Sequence, residues 1–374
     1  MTAFAGQFDL PRLERVISGV GALESLEGEI VRLGIQRAVV VTGRTLGASD
    51  LLRLVSGSLG ARGVAVFTGS RQHVPAASVA DLLRFMGEHE ADGLVSLGGG
   101  SPIDTAKLAV HAGLASGDGI PHIAIPTTLS AGEFTSVAGV THDTTRTKRA
   151  VHDTRLAPRT VIADPAVTLA TPAWLWAASG VRALDHAVES LYSSRHHPIS
   201  DATAAKGLSL LLEHLPPSTA ADAPDVLDHR ARCQLAAWMS VFGMTNAGFG
   251  LSHALGHQIG PRWNVAHGIT SCITLPHAMR FMARLAPERF APIAAACGVS
   301  FDAARPNAGA LACADRIEAF IGQLGLPTRL RDVGVPAGEI ADVAAVVHGH
   351  MEAAGIVGRS IAVEEVADLL RKAF

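Results

Sequence analysis

Cysteine is scarce in this chain: Cys233, Cys272, Cys297 and Cys313 are the only four in 374 residues, and no two form a CxxC pair. That excludes a disulfide framework and a compact structural zinc site, and leaves four reduced thiols expected in the interior. Aromatic residues make up 5% of the chain, with a single tyrosine, so burial must come from Ala, Val and Leu. No apolar run of about 20 residues occurs, and the opening MTAFAGQFDLPRLERV lacks a basic stretch followed by an apolar core. Neither a membrane span nor a secretory leader is expected, and the cytoplasm is the expected location. Charge of neither sign dominates: 17% of residues are charged and the net charge is -3. There is no electrostatic footprint for nucleic acid or for an anionic membrane surface, which leaves small-molecule chemistry.

What the chain has in quantity is aliphatic residues and 38 glycines, at a length that favours two domains. Short apolar runs recur through the first half: Arg37 to Thr42, Gly63 to Phe67, Gly93 to Leu97, His122 to Ile125 and Thr160 to Ala163. Runs apolar on both faces and separated by helical patterns indicate parallel strands joined by βαβ crossovers, hence an α/β doubly wound, Rossmann-like sheet. After Asp164-Pro165 the pattern turns helical, starting from Thr171-Pro172, which has the form of an N-cap followed by Pro at the first helical position. The helical pattern runs through Ser193 and returns around 200–214, 228–258, 269–298, 308–324 and 362–373, with a turn expected at Gly260 to Asn264 and a loop at 215–225. The reading is an α/β domain over 1–163 and an all-α domain over 164–374.

The sharpest local feature is Gly98-Gly99-Gly100-Ser101-Pro102-Ile103-Asp104, which follows the strand GLVSL and opens a helix. Glycines let the backbone approach a pyrophosphate, and a helix N-terminus offers free N–H groups and partial positive charge. A turn that needs glycine only for its backbone angles is the alternative. A second loop, Pro126 to Glu133 (PTTLSAGE), also leaves the carboxyl end of a strand, where open α/β sheets bind ligands. Its hydroxyls suit ribose, phosphate or carboxamide groups; a plain helix cap is the alternative.

Together, GGGSPIDTAK, IPTTLSAGE, THDTTRTKRAVHD and LAPRTVIADP resemble the cofactor domain of the iron-containing alcohol dehydrogenase superfamily, on the branch of the maleylacetate reductases. The resemblance spans essentially the whole chain and is densest over 93–193 and 246–277. It implies the dehydroquinate synthase-like fold, a homodimer, and a nicotinamide dinucleotide whose pyrophosphate lies on Gly98, Gly99, Gly100 and Ser101. Thr127, Thr128 and Leu129 then lie along the nicotinamide half, with Asp104 and Lys148 counted among the cofactor contacts. Where the superfamily often has an Asp for the adenosine ribose, this chain reads Val41-Thr42-Gly43-Arg44. With no carboxylate there to repel a 2′-phosphate and an Arg beside it, both NADH and NADPH are expected to bind.

The second half carries GVRALDHAVES (180–190) and GLSHALGHQIGPRWNVAHGITS (250–271). On a helix, Arg182, Asp185, His186 and Glu189 share one stripe, and His253 and His257 lie one turn apart, with His267 beyond. Any single histidine is more simply a hydrogen-bonded core or surface residue; the set points to a site. The resemblance implies that His186, His253 and His267 match the superfamily's metal-binding histidines and His257 a fourth of that region. The matching position for the Asp ligand is Arg182, a permanent cation with no lone pair for a metal. Asp185, on the other side of His186, is not expected to stand in.

No catalytic metal is therefore expected, and Arg182 with the histidines must serve as electrophile and proton donor. The resemblance implies metal-independent reduction of a small anionic oxo-acid or aldehyde, foremost maleylacetate to 3-oxoadipate; the residues themselves suggest that Arg182, alone or with His186, clamps the anion and that His253, His257 or His267 gives the proton. The alternatives are a metal-dependent alcohol dehydrogenase or aldehyde reductase, in which His186, His253 and His267 bind iron or zinc; a lyase like dehydroquinate synthase; and a non-catalytic nucleotide-binding protein. Arg262 is read as a solvated turn residue, Trp174 and Trp176 as helix packing, and Arg146, Lys148 and Arg149 as an exposed basic edge.

Overall fold

The computed structural model describes residues 7–114, 117, 119–145, 147–354 and 357–374. The chain separates into two compact units, one of Pro11–Trp176 with Pro217–Leu235, the other of Met1–Leu10 with Ala177–Pro216 and Ala236–Phe374.

The first unit is built on strands β1 (Arg15–Ser18), β2 (Ala38–Val41), β3 (Gly63–Phe67), β4 (Gly93–Gly98), β5 (His122–Pro126) and β8 (Thr160–Ala163), with a hairpin of β6 (Val137–Thr141) and β7 (Lys148–His152). The six-stranded sheet runs β1-β8-β5-β4-β2-β3, parallel at every pairing. Its helices are α1 (Leu26–Arg32), α2 (Arg44–Gly47), α3 (Asp50–Leu59), α4 (Ala76–Glu88) and α5 (Gly100–Gly113). Successive residues of β2 serve opposite faces: Ala38 and Val40 pack with Leu26, Ile30 and Val55, whereas Val39 and Val41 pack with Leu82, Ala106 and Val110. This period of two across a sheet covered on both sides is the doubly wound arrangement the apolar runs indicated.

Three elements escaped the sequence pattern: edge strand β1, the hairpin β6–β7, and a late helix, α14 (Ile340–Ala354). The helices before it are α6 (Ala173–Tyr192), α7 (Pro198–His214), α8 (Val226–Val241), α9 (Met244–Ala247), α10 (Leu251–Trp263), α11 (His267–Met282), α12 (Ala291–Cys297) and α13 (Pro306–Gln323); α15 (Val363–Lys372) follows. Among the described residues no strand lies beyond β8.

Four local expectations need correction. Pro172, not Thr171, caps α6, since its carbonyl accepts from the Trp176 amide; the Thr171 hydroxyl instead donates to the carbonyl of Thr127 at 2.7 Å. Helix α10 does not turn at Gly260: Pro261 falls in its last turn, and the helix closes at Asn264 with φ 54°. Arg262 thus lies on that last turn, half-buried and 3.9 Å from Glu339, rather than in a solvated loop. Trp174 is 53% exposed and does not pack. Trp176 does: it is fully buried, gives its indole N–H to Ser218, and lies under the Arg230 guanidinium at 4.5 Å. Arg230 also donates to the carbonyls of Ser218 and Thr168, which fastens the start of α8 into the α/β unit.

Candidate functional site

In the α/β unit the chain moves from β2 out to β3 and then returns to the other side of β2 for β4, so the loops after β2 and β4 diverge. Open parallel sheets bind ligands at such a divergence. Gly43 and Arg44 follow β2, with Arg44 exposed; Gly98 to Ser101 follow β4; and Thr127, Thr128 and Leu129 follow β5, all three buried. The last two loops are packed into one another. The Thr127 amide donates to the Gly98 carbonyl at 2.9 Å. A Cβ on Gly99 would lie 3.0 Å from the Thr128 side chain, and one on Gly100 3.3 Å from the Ser130 hydroxyl. Gly98 sits at φ 142°, which favours glycine. The neighbouring loop thus favours glycine at 99 and 100, since a Cβ there would make the Thr128 or Ser130 side chain give way, independently of any ligand. Helix α5 starts at Gly100 with no side-chain cap, so its first N–H groups have no side-chain acceptor at the N-cap.

Asp104 and Lys148 meet around the hairpin. Asp104 accepts from the Gly139 amide at 3.1 Å, and the Lys148 stem lies over Gly139, where a Cβ would fall 2.1 Å from its Cε. Burial, and then Lys148, push the nearby His73 imidazole down to about 4. His73 and Val74 both have positive φ, 63° and 52°, and are clamped by Thr141, which bonds both their carbonyls. Arg149 is exposed as expected, and Arg146 lies outside the described residues.

In the helical unit the residues expected as a histidine wall do converge, on a scaffold set by Glu189. Fully buried on α6, Glu189 accepts from the amides of Gly250 and Ser252 at 2.8 and 2.7 Å and so caps the N-terminus of α10 with negative charge. Gly250 must be glycine there, because a Cβ would stand 2.6 Å from that carboxylate. The cap brings His253 round so that its Nδ1 is 2.6 Å from Glu189 and 3.5 Å from Asp185. The His186 ring lies 4.8 Å from that of His253, and burial pushes His186 well below the usual imidazole value. Helix α11 approaches α6 closely at Gly268, where a Cβ would lie 2.4 Å from the Ala178 carbonyl. His267 and Ser271, one turn apart on α11, thereby reach Arg182. His257 stacks on His267 at 5.2 Å and 10°.

Arg182 is the hub. Its buried guanidinium donates to Ser271 at 3.0 Å and to Nε2 of His267 at 2.5 Å, and lies 3.5 Å from Asp185. Burial pushes it down to about 10, opposed by Asp185 and Glu189. Asp185 also accepts from the Ser252 and Ser271 hydroxyls at 2.9 and 2.6 Å. Burial and the neighbouring carboxyl push Asp185 up, and burial likewise raises Glu189. Two carboxyls, one guanidinium and the imidazoles thus share one cluster between helix faces. Sequence reasoning missed Ser252, Ser271, Asp185 and Glu189 as functional partners; the stripe Arg182, Asp185, His186, Glu189 was the available signal.

These residues do not fit a dication held as in the superfamily. An Arg N–H can only donate, so Nε2 of His267 spends its lone pair on Arg182, and the place of the carboxylate ligand is filled by a cation. Asp185 does reach the cluster, contrary to the helical argument. With Glu189 and His253 it places three ligand-type atoms within 4.8 Å of one another. Both Glu189 oxygens are nevertheless committed to backbone amides, and Asp185 Oδ2 to two hydroxyls beside the guanidinium.

Residues 13–165 match the family model described as iron-containing alcohol dehydrogenase, and residues 176–374 match the C-terminal model of the Fe-containing alcohol dehydrogenase family. The chain is 37% identical over 287 residues, 76% of each protein, to maleylacetate reductase 2 of Cupriavidus pinatubonensis. It is 32% identical over 374 residues, 97% of this chain and 96% of the relative, to maleylacetate reductase of Pseudomonas sp. strain P51. The crystal structure of maleylacetate reductase from Agrobacterium tumefaciens superposes with a TM-score of 0.83 at 27% identity, covering 100% of this chain and 99% of that one.

Proposed function

The chain belongs to the iron-containing alcohol dehydrogenase family, on its maleylacetate reductase-like branch, and from that premise we propose that it reduces a small anionic oxo-acid without a catalytic metal. It is an NAD(P)-dependent oxidoreductase. The proposed substrate is maleylacetate and the product 3-oxoadipate, with NADH or NADPH as reductant. Dinucleotide binding is assigned to residues 1–163 and catalysis to 164–374.

The observation that carries the reading is the buried Arg182 guanidinium, donating to His267 and Ser271 where a metal's carboxylate ligand was expected. When bound, the reduced nicotinamide supplies a hydride to the carbon–carbon double bond conjugated with the ketone. Arg182, with His186 beside it, binds the substrate's anionic oxygen and stabilises the enolate formed as that double bond accepts the hydride. A histidine of the cluster, among His253, His257 and His267, then gives a proton to the enolate carbon and is reprotonated from solvent. Gly98 to Ser101 hold the pyrophosphate, Thr127, Thr128 and Leu129 the nicotinamide half, and Gly43 and Arg44 the adenosine ribose with or without its 2′-phosphate, with Asp104 and Lys148 completing the set.

The Asp185, Glu189 and His253 group supports a second reading, a metal-dependent alcohol dehydrogenase. Metal analysis of the purified protein, with activity on oxo-acids and alcohols measured before and after chelation, separates the two. Oxo-acid reduction unaffected by chelator is expected; stoichiometric iron or zinc with activity lost to chelator overturns the metal-free reading. An Arg182→Asp variant is expected to gain metal affinity and lose activity on anionic substrates.

A further inference from the structure

Lys107 has no part in the chemistry above, yet it is completely buried, seven residues into α5, between the buried residues Ala106 and Leu108. An apolar side chain would be the ordinary occupant of such a position, because an ammonium taken from water is costly unless every donor finds an acceptor. Here every donor does. Nζ donates to the carbonyl of Gly132 at 2.8 Å, to the Thr135 hydroxyl at 3.0 Å, and to the carbonyl of Val137. The Thr135 hydroxyl in turn lies 3.1 Å from each of those two carbonyls.

All three acceptors belong to one segment, 132–137, which continues the loop that leaves β5 and leads into β6. The helix that carries Lys107 is the one opened by Gly99 and Gly100. A single side chain therefore ties the helix of the glycine loop to the far end of the Thr127–Leu129 loop, while Thr128 against Gly99 closes the near end. Methionine would fill the volume but take the ammonium from two carbonyls, leaving the Thr135 hydroxyl to be shared between them and the Thr135 amide to the Gly132 carbonyl alone. A charge spent on carbonyl groups organises a backbone path, which packing alone does not do.

We propose that Lys107 is a positioning residue for the dinucleotide, its ammonium setting the course of the loop from Thr127 to Val137 against the N-terminal turns of α5. The inference rests on the cofactor reading above and extends it to a residue that need not touch the ligand. The charged or titratable groups facing Lys107 are Asp104 at 3.9 Å on its own helix, Glu133 from the loop and His122 from β5. Burial pushes the Lys107 ammonium down to about 8, opposed by Asp104 and Glu133. Burial raises Glu133 to about 7 and lowers His122 to about 3, so His122 stays neutral while Glu133 gains its charge near pH 7, which favours the ammonium and does not produce a loss at higher pH. Dinucleotide affinity should therefore fall as pH rises through the Lys107 value.

The test is titration of the full chain with NADPH and with NADH, followed by nicotinamide fluorescence, between about pH 7 and about pH 9.5. For the wild type, Kd is expected to rise about fivefold or more across that range. Lys107→Met is expected to weaken binding about tenfold at the lower pH and to remove the dependence on pH. Thr135→Val, which deletes one acceptor and keeps the ammonium, should weaken binding about threefold and keep the pH limb. If Lys107→Met does not fold, the wild-type pH limb and Thr135→Val decide. A Lys107→Met variant that binds within about twofold of wild type, or a flat wild-type profile with Thr135→Val unchanged, overturns the proposal. A wild type that binds neither dinucleotide overturns the cofactor reading itself, and this inference with it.

Discussion

Each of the two units buries a cation beside two carboxyl groups, and each uses it differently. In the α/β unit, Lys107 lies near Asp104 and Glu133 but spends its donors on two main-chain carbonyls and a hydroxyl. In the helical unit, Arg182 faces Asp185 and Glu189 and spends its donors on the side chains of Ser271 and His267. Carbonyl dipoles solvate a charge without reacting to it, so the lysine fixes a loop. Carboxyls and imidazoles change protonation in response to a neighbour, so on the proposed function the arginine would set the protonation of the groups around it. The side chains suit these tasks: a compact ammonium for three convergent acceptors, a planar fork for partners spread over two helices.

The largest effect that could break this contrast is expected at the arginine. Arg182→Met should lower oxo-acid turnover by about a thousandfold, since the electrophile is lost, and should cost about 3–5 kcal/mol of stability, because two buried carboxyls lose their counter-charge. Denaturant unfolding and steady-state rates measure both; a variant within tenfold of wild-type turnover would remove Arg182 from the chemistry. Next in size is Glu189→Gln, which weakens the cap of α10 and the orientation of His253. A loss of about 1.5–3 kcal/mol is expected, with turnover down about ten- to a hundredfold and NADPH affinity unchanged. A matching loss of NADPH affinity would mean that the two units are not independent in the sense the contrast requires.

The smallest effect concerns pH. Burial holds the Glu133 carboxyl at about 7 against its ordinary 4.5, so the native state keeps this proton longer than the unfolded chain does. Its contribution to stability is then fully present below pH 4.5 and is lost as pH rises through about 7. Glu133→Gln should flatten the pH dependence of unfolding across that interval, and an unaltered slope would show that Glu133 is ionised in the native state at no cost.

The sheet was legible where strands are apolar on both faces, as in AVVV of β2 and TVIA of β8. It was illegible where burial is one-sided: RVIS of β1 lies at the sheet edge, and KRAVH of β7 is a hairpin strand with its charges outward. In α10 the sequence signal misled, since Pro261 reads as a breaker but falls in the last turn, where the helix is ending. The histidines and Arg182 could be found from spacing and type. Their serine supports could not, because Ser252 reaches Asp185 only through the Glu189 cap of α10 and Ser271 only through the approach of α11 to α6 at Gly268, tertiary events with no local signature. Lys107 did leave a trace: one lysine inside TAKLAV, a buried stretch with no other charged residue.

Helix N-termini are ordinarily where a helix opens first, because their leading amides have no partner inside the helix. At α10 the amides of Gly250 and Ser252 end instead on a buried carboxylate rooted in the last turn of α6. Those two protons should be among the slowest in the molecule to exchange with heavy water, opening only when α6 itself unfolds. The histidine-bearing helix would then have no private fluctuation at its start, and its motion on the exchange timescale would be that of the whole helical unit.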